Sequence, residues 1–195
     1  MNIDIQNLKF IHLLTSTLMV ETYILILFRY TKSKFSGKSI NAWYDKFKLI
    51  AIFLDIFIFI IGIYSTIFLA KKYNINKYYI FLALQIILQI IHDILFYIFF
   101  TKYPKNINPL IDEFKNYAKH IGIGAIIGDS YMYLIGVPIL FLLTKLNQDK
   151  LIFISLICSY LIGYLIYQKP LYKIKTNYFE FFLPLLLNFF FSSSV

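Results

Sequence analysis

Five long apolar runs limit what this chain can become. They lie at about 10–28, 47–70, 78–100, 121–143 and 151–167. Each approaches or reaches the roughly 20 residues that carry a helix across a bilayer's hydrocarbon core. Inside hydrocarbon a segment must satisfy its own backbone N–H and C=O groups, which an α-helix does within itself. A closed barrel would show apolar and polar residues alternating with period two, and no such alternation runs along these segments. The expectation is an all-α, polytopic transmembrane helical bundle of five spans, forming one integral-membrane domain over 1–195. Hydrophobic residues make up 59% of the chain and charged ones only 15%, too little polar surface to wrap a soluble core of this size.

A sixth apolar run, "FEFFLPLLLNFFF" at 179–191, is 13 residues long and interrupted by Pro184. Its length predicts an interfacial or re-entrant segment rather than a sixth span. The first run lacks the marks of a cleavable leader. Its preceding "MNIDIQNLK" is not basic, Glu21 interrupts it, and no small-residue cleavage site follows. Two connecting stretches read as amphipathic. "NPLIDEFKNYAKHI" offers Asn108 as an N-cap and Pro109 at the first helical position. Leu110, Ile111, Phe114, Tyr117 and Ile121 then recur at helical spacing, predicting an interfacial helix over 108–120. "NAWYDKFKL" supplies Trp43, Tyr44 and Phe47 as anchors at the membrane surface.

The formal net charge is +9. The basic residues fall between the apolar runs rather than along one stripe, which argues for topology signals and against nucleic-acid binding. With five alternating spans, thirteen Lys and Arg residues fall on one side and six on the other. The positive-inside tendency then places the C-terminus in the cytosol and the N-terminus outside or in a lumen. The single cysteine, Cys158, excludes an internal disulfide and any CxxC motif. The lipid bilayer is the expected partner. Homo-oligomers or other membrane proteins remain open through the small-residue stripe Ser155, Ser159 and Gly163.

Ionisable groups within such runs carry the functional signal, because a charged side chain at mid-bilayer is costly. Glu21, Asp55, Asp93 and Asp129 occupy one run each. Counted from the nearest basic residue on the more basic side, they lie seven to nine residues deep, about 10–14 Å at the helical rise. In "QIILQIIHDILFY", Gln85, Gln89, His92 and Asp93 share one helical stripe. Gly124 and Gly128 stand at GxxxG spacing beside Asp129 and Ser130, a pattern that predicts close approach of a neighbouring helix. The first four spans are thus expected around a polar centre, with the fifth packed outside.

Three uses of that centre stay open. The acids specify packing by hydrogen bonds across helices, or they form a proton or cation path with His92. Alternatively Glu21, Asp55, His92, Asp93 and Asp129 ligate a divalent metal such as Mn, Fe or Zn, as helix bundles allow. Against the last, no ExxH or HxxxH pair is present, and no cofactor is predicted. Ser130, in "GDS", has no base placed by spacing, so serine catalysis has no support.

The stretches "INAWYDKFKLIAIFLDIFIFIIG", "IIHDILFY" and "NINPLIDEFKNYAKHIGIGAIIGDS" resemble a family of small, uncharacterised polytopic membrane proteins of giant (nucleocytoplasmic large DNA) viruses. The similarity covers about 28–130. It implies a viral origin and a virion or host endomembrane location, and it supplies no mechanism. Asp55, His92, Asp93, Asp129 and Ser130 match its motif positions, whereas Glu21 lies outside them. The function expected from this reading is a structural or assembly role in a viral or virus-modified host membrane. The alternatives are a small proton or cation transporter and a metal-dependent membrane enzyme.

Overall fold

The computed structural model describes residues 3–31 and 38–168. The C-terminal apolar segment at 179–191 lies outside the described residues. Those described form seven α-helices and no sheet. These are α1 (Phe10–Tyr30), α2 (Lys38–Phe47), α3 (Leu49–Lys72), α4 (Tyr78–Lys102), α5 (Pro109–Ile121), α6 (Ile123–Leu143) and α7 (Gln148–Tyr167). Five of them, α1, α3, α4, α6 and α7, are long and apolar enough to cross a membrane, as the run lengths predict. The chain is a multi-pass helical membrane protein.

Local chemistry sets the helix ends. Asn108 Oδ1 accepts from the backbone N–H groups of Leu110 and Ile111 at 2.9 and 3.4 Å, with Pro109 opening α5. Asn147 Oδ1 accepts from Lys150 N–H at 3.0 Å and starts α7. At α1 the work falls to His12, whose Nδ1 accepts from Lys9 N–H at 3.0 Å. Phe47, expected to open the second span, instead closes the amphipathic α2. The break falls at Lys48, whose φ of 49° ends one helix before the next begins.

The described chain repeats itself. A span, an amphipathic helix and a second span (α1–α2–α3) are followed by the same three in the same order (α4–α5–α6). Each amphipathic helix joins its span through one residue of unusual backbone: Lys48 at φ 49°, ψ −124° and Gly122 at φ 55°, ψ −129°. Seven residues after each joint stands an aspartate, eleven after an aromatic ring and fourteen after a glycine. These are Asp55, Phe59 and Gly62 in α3, and Asp129, Tyr133 and Gly136 in α6. Packing follows the same exchange. Within each half α1 meets α3 and α4 meets α6; between halves α1 meets α6, α3 meets α4, and α2 meets α5. This is the pattern of a twofold axis running along the bundle between two parallel repeats.

The repeat explains the centre of the core. Phe59 and Tyr133 stack across the axis with ring centroids 4.3 Å apart and planes within 5°. Such a pair contributes about 0.5–1.5 kcal/mol beyond its buried area. Each ring lies against the other half's glycine: a methyl group at Gly136 would meet the Phe59 ring, and one at Gly62 the Tyr133 phenol. The helix contact predicted at Gly124 and Gly128 is not formed. A methyl group at Gly128 would meet nothing within 4 Å and one at Gly124 only the Ile121 side chain, because α6 makes its close approach further along, at Gly136.

α7 stands outside the ring of four. It packs against α1 and touches α2, with Thr15 and Ser155 hydroxyls 2.8 Å apart in the seam. Of its predicted small-residue stripe only Ser155 is buried there; Ser159 is exposed, and a methyl group at Gly163 would meet nothing within 4 Å.

Candidate functional site

Four carboxylates come from four spans, and the two halves treat them differently. In the first half Glu21 of α1 is 1% exposed. The Tyr44 hydroxyl of α2 donates to Glu21 Oε1 at 3.2 Å and lies 3.4 Å from Asp55 Oδ2. Burial, followed by the Glu21 and Asp55 charges, pushes the Tyr44 phenol well above its ordinary range, so the hydroxyl stays a donor. A phenol thus ties α1, α2 and α3 together, with Glu21 Oε2 buried and unbonded behind it and Asp55 facing the cavity.

The second half is open. Asp93 Oδ1 accepts from Gln89 Nε2 at 2.6 Å and sits 3.2 Å from His92 Nδ1. Its Oδ2 is buried with no partner. Asp129 has no hydrogen-bond partner among the described residues. Position explains the difference: Tyr44 stands four residues before the Lys48 joint, and the residue four before Gly122 is Ala118. Where the first half carries a phenol, the second carries a methyl group.

The space left is a cavity of about 850 Å³, within the roughly 300–1,000 Å³ range of small-molecule sites. Asp55, Asp93 and Asp129 all line it, with Gln89 and His92 beside them. Among the described residues on its wall there is no lysine or arginine. The amphipathic helices roof it. Trp43 packs on Phe114 with centroids 4.5 Å apart, Phe114 stacks on Phe100 at 4.9 Å, and the row continues through Phe96 to His92. Lys46 of α2 pairs with Glu113 of α5 at 2.9 Å above it. At the corner of α1, α2 and α7 a fully buried Arg29 donates to Asp45 at 2.8 Å and to the Gln168 carbonyl at 3.2 Å.

The sequence-derived residues therefore separate. Asp55, Gln89, His92, Asp93 and Asp129 meet on one wall, and Glu21 lies behind them through Tyr44. Gln85 does not join them; fully buried, it accepts from Thr66 Oγ1 at 2.7 Å between α3 and α4. Ser130 is half-buried and off the wall. Among the described residues no three His, Cys, Asp or Glu side chains are grouped so as to hold a metal ion; of the five suggested ligands four line the cavity and Glu21 does not. Sequence reasoning missed Tyr44 and Tyr117 as parts of the site and gave His120 no role, although Tyr117 and His120 line the cavity. The recurring D-x3-[FY]-x2-G pattern after each joint was the signal that would have paired the halves.

Compared with protein-family models, curated proteins and solved structures, the chain matches none.

Proposed function

We propose that this protein is a carrier that moves a proton or another cation across its membrane, using the acids between its two halves. One observation supports this above the rest. Two parallel repeats bring carboxylates from separate spans to one cavity whose described wall has no lysine or arginine. Membrane carriers built from repeats hold their sites at the repeat interface, so that one half rocking on the other changes which side is open. Acids that served packing alone would be expected inside helix contacts, as Glu21 is, rather than along an open wall. The resemblance to giant-virus proteins leads us to propose the virion or a virus-modified host membrane as its location.

The test is flux into liposomes carrying the purified protein, followed with a trapped pH dye and with potassium. Wild-type protein should conduct above empty vesicles. Asp93→Asn and Asp129→Asn, checked for folding by circular dichroism, should lower the rate at least tenfold. Wild-type flux equal to that of empty vesicles sinks the proposal.

The Glu21–Tyr44–Asp55 bridge favours a second reading, an architectural or assembly role in the same membrane. That reading predicts Asn variants that lose thermal stability with no flux to lose.

A further inference from the structure

The comparison between halves also bears on what the cavity holds. Resting on the carrier reading, we infer that its cargo is an amphiphilic organic amine. The ammonium nitrogen takes, at Asp93 and Asp129, the place that the Tyr44 hydroxyl takes at Glu21 and Asp55.

Three observations lead there. First, the wall shows an unfilled pattern. The hydroxyl that reaches Glu21 and Asp55 is replaced by Ala118; Asp129 has no partner among the described residues, and Asp93 Oδ2, like Glu21 Oε2, is buried and unbonded. An ammonium group supplies several donors and a positive charge, which two neighbouring carboxylates favour over a neutral hydroxyl. Second, the volume of about 850 Å³ far exceeds a bare ion. The remainder of the wall is apolar and aromatic, including Phe28, Trp43, Phe100, Phe114 and Met132. Rings beside a cation add attraction through their faces, and the apolar body of an amine would fill the rest. Third, the cavity is lined by exposed residues at the α4 and α6 spans, which would place a way in on the bilayer side. α4 and α6 touch through Phe81 and Phe141 at one end. Towards α5 the wall residues Tyr97 and Ile123 are 57% and 74% exposed, and a methyl group at Gly128 would meet nothing within 4 Å. An amphiphile dissolved in the membrane reaches such an opening directly.

Trp43 is the only tryptophan in the chain and lies on the cavity wall, so its fluorescence reports occupancy. Protein in neutral-lipid nanodiscs is titrated with 4-phenylbutylamine, with 4-phenyl-1-butanol of the same shape, and with potassium chloride. The amine should change the emission saturably, with a Kd at least tenfold below that of the alcohol. Asp129→Asn should weaken the amine at least tenfold. Ala118→Tyr, which rebuilds the missing phenol and adds rather than removes packing, should do the same. Amine and alcohol binding alike, or amine binding untouched by Ala118→Tyr, overturns the inference. If Trp43 ignores the amine while proton or potassium flux still depends on Asp93 and Asp129, the carrier reading stands and the amine does not. Loss of both flux and amine response removes the two together.

Discussion

Gly62 and Gly136 hold the two spans of the core apart by the width of one ring each, and neither ring has room to retreat. Phe59 is pinned by the Tyr133 stack on one side and by Val20 and Gly136 nearby. Gly136→Ala should therefore cost about 1–3 kcal/mol, the usual range for overpacking a tight core. Gly128→Ala, with open space around it, should stay within about 0.5 kcal/mol of wild type. Unfolding by SDS titration in mixed micelles separates the two; equal losses would mean that the close approach is misplaced. Tyr44→Phe is the matching polar experiment. It removes one donor shared by buried Glu21 and half-buried Asp55, a loss of about 1–3 kcal/mol, and the loss should shrink when Glu21→Gln is present in the same chain. The acids themselves were legible in the sequence because a carboxylate in an apolar run stands out and helical rise converts its position into depth. The partner was not: an aromatic residue in a membrane-surface stretch looks like an anchor, and only the fold of α2 back over the bundle turns Tyr44 inward.

At the level of elements, the spans and the 108–120 helix follow from run length, the Asn-Pro start and spacing, so their existence was readable to within two or three residues. The joints were not, since nothing in "FKLI" announces a helix break. Lys48 takes a backbone conformation that glycine adopts freely and other residues hold at a cost of about 1–3 kcal/mol; its counterpart is Gly122. Swapping the two residue types should act in opposite directions. Lys48→Gly should raise stability by about 1 kcal/mol, after allowance for its exposed 3.5 Å pair with Asp45. Gly122→Ala should lower it by a similar amount. The roof is the second element-scale feature. Trp43→Ala removes the ring that joins α2 to Phe114, so hydrogen exchange across α5 should quicken at least tenfold while α1, enclosed by α3, α6 and α7, keeps its protection. Unchanged exchange in α5 would show that Trp43 does not hold the roof.

For the molecule as a whole, contacts tie the helix ends together on two faces. Ile3 N–H bonds to the Asn76 carbonyl at 2.8 Å, joining the N-terminal segment to the α3–α4 turn. On the opposite face Arg29 joins Asp45 and Gln168, and Lys46 joins Glu113. In a Cys158→Ser background, a membrane-impermeant maleimide added to intact cells should label Tyr73→Cys and Lys145→Cys. Lys105→Cys should react only after permeabilisation, if the more basic face lies in the cytosol. Motion between the halves makes a stronger demand. A carrier of this design moves α1–α2–α3 against α4–α5–α6, and the roof is where they meet through the 2.9 Å Lys46–Glu113 pair. Exposed as Lys46 is, that pair contributes only about 0–1 kcal/mol, so it yields easily during such a movement. A covalent link does not. With Cys158→Ser, Lys46→Cys and Glu113→Cys joined by a short bis-maleimide, liposome flux should fall at least tenfold, while the unlinked double variant conducts like wild type. Undiminished flux in the linked protein would mean that the halves do not separate at this face, and the cavity would then work as a fixed channel.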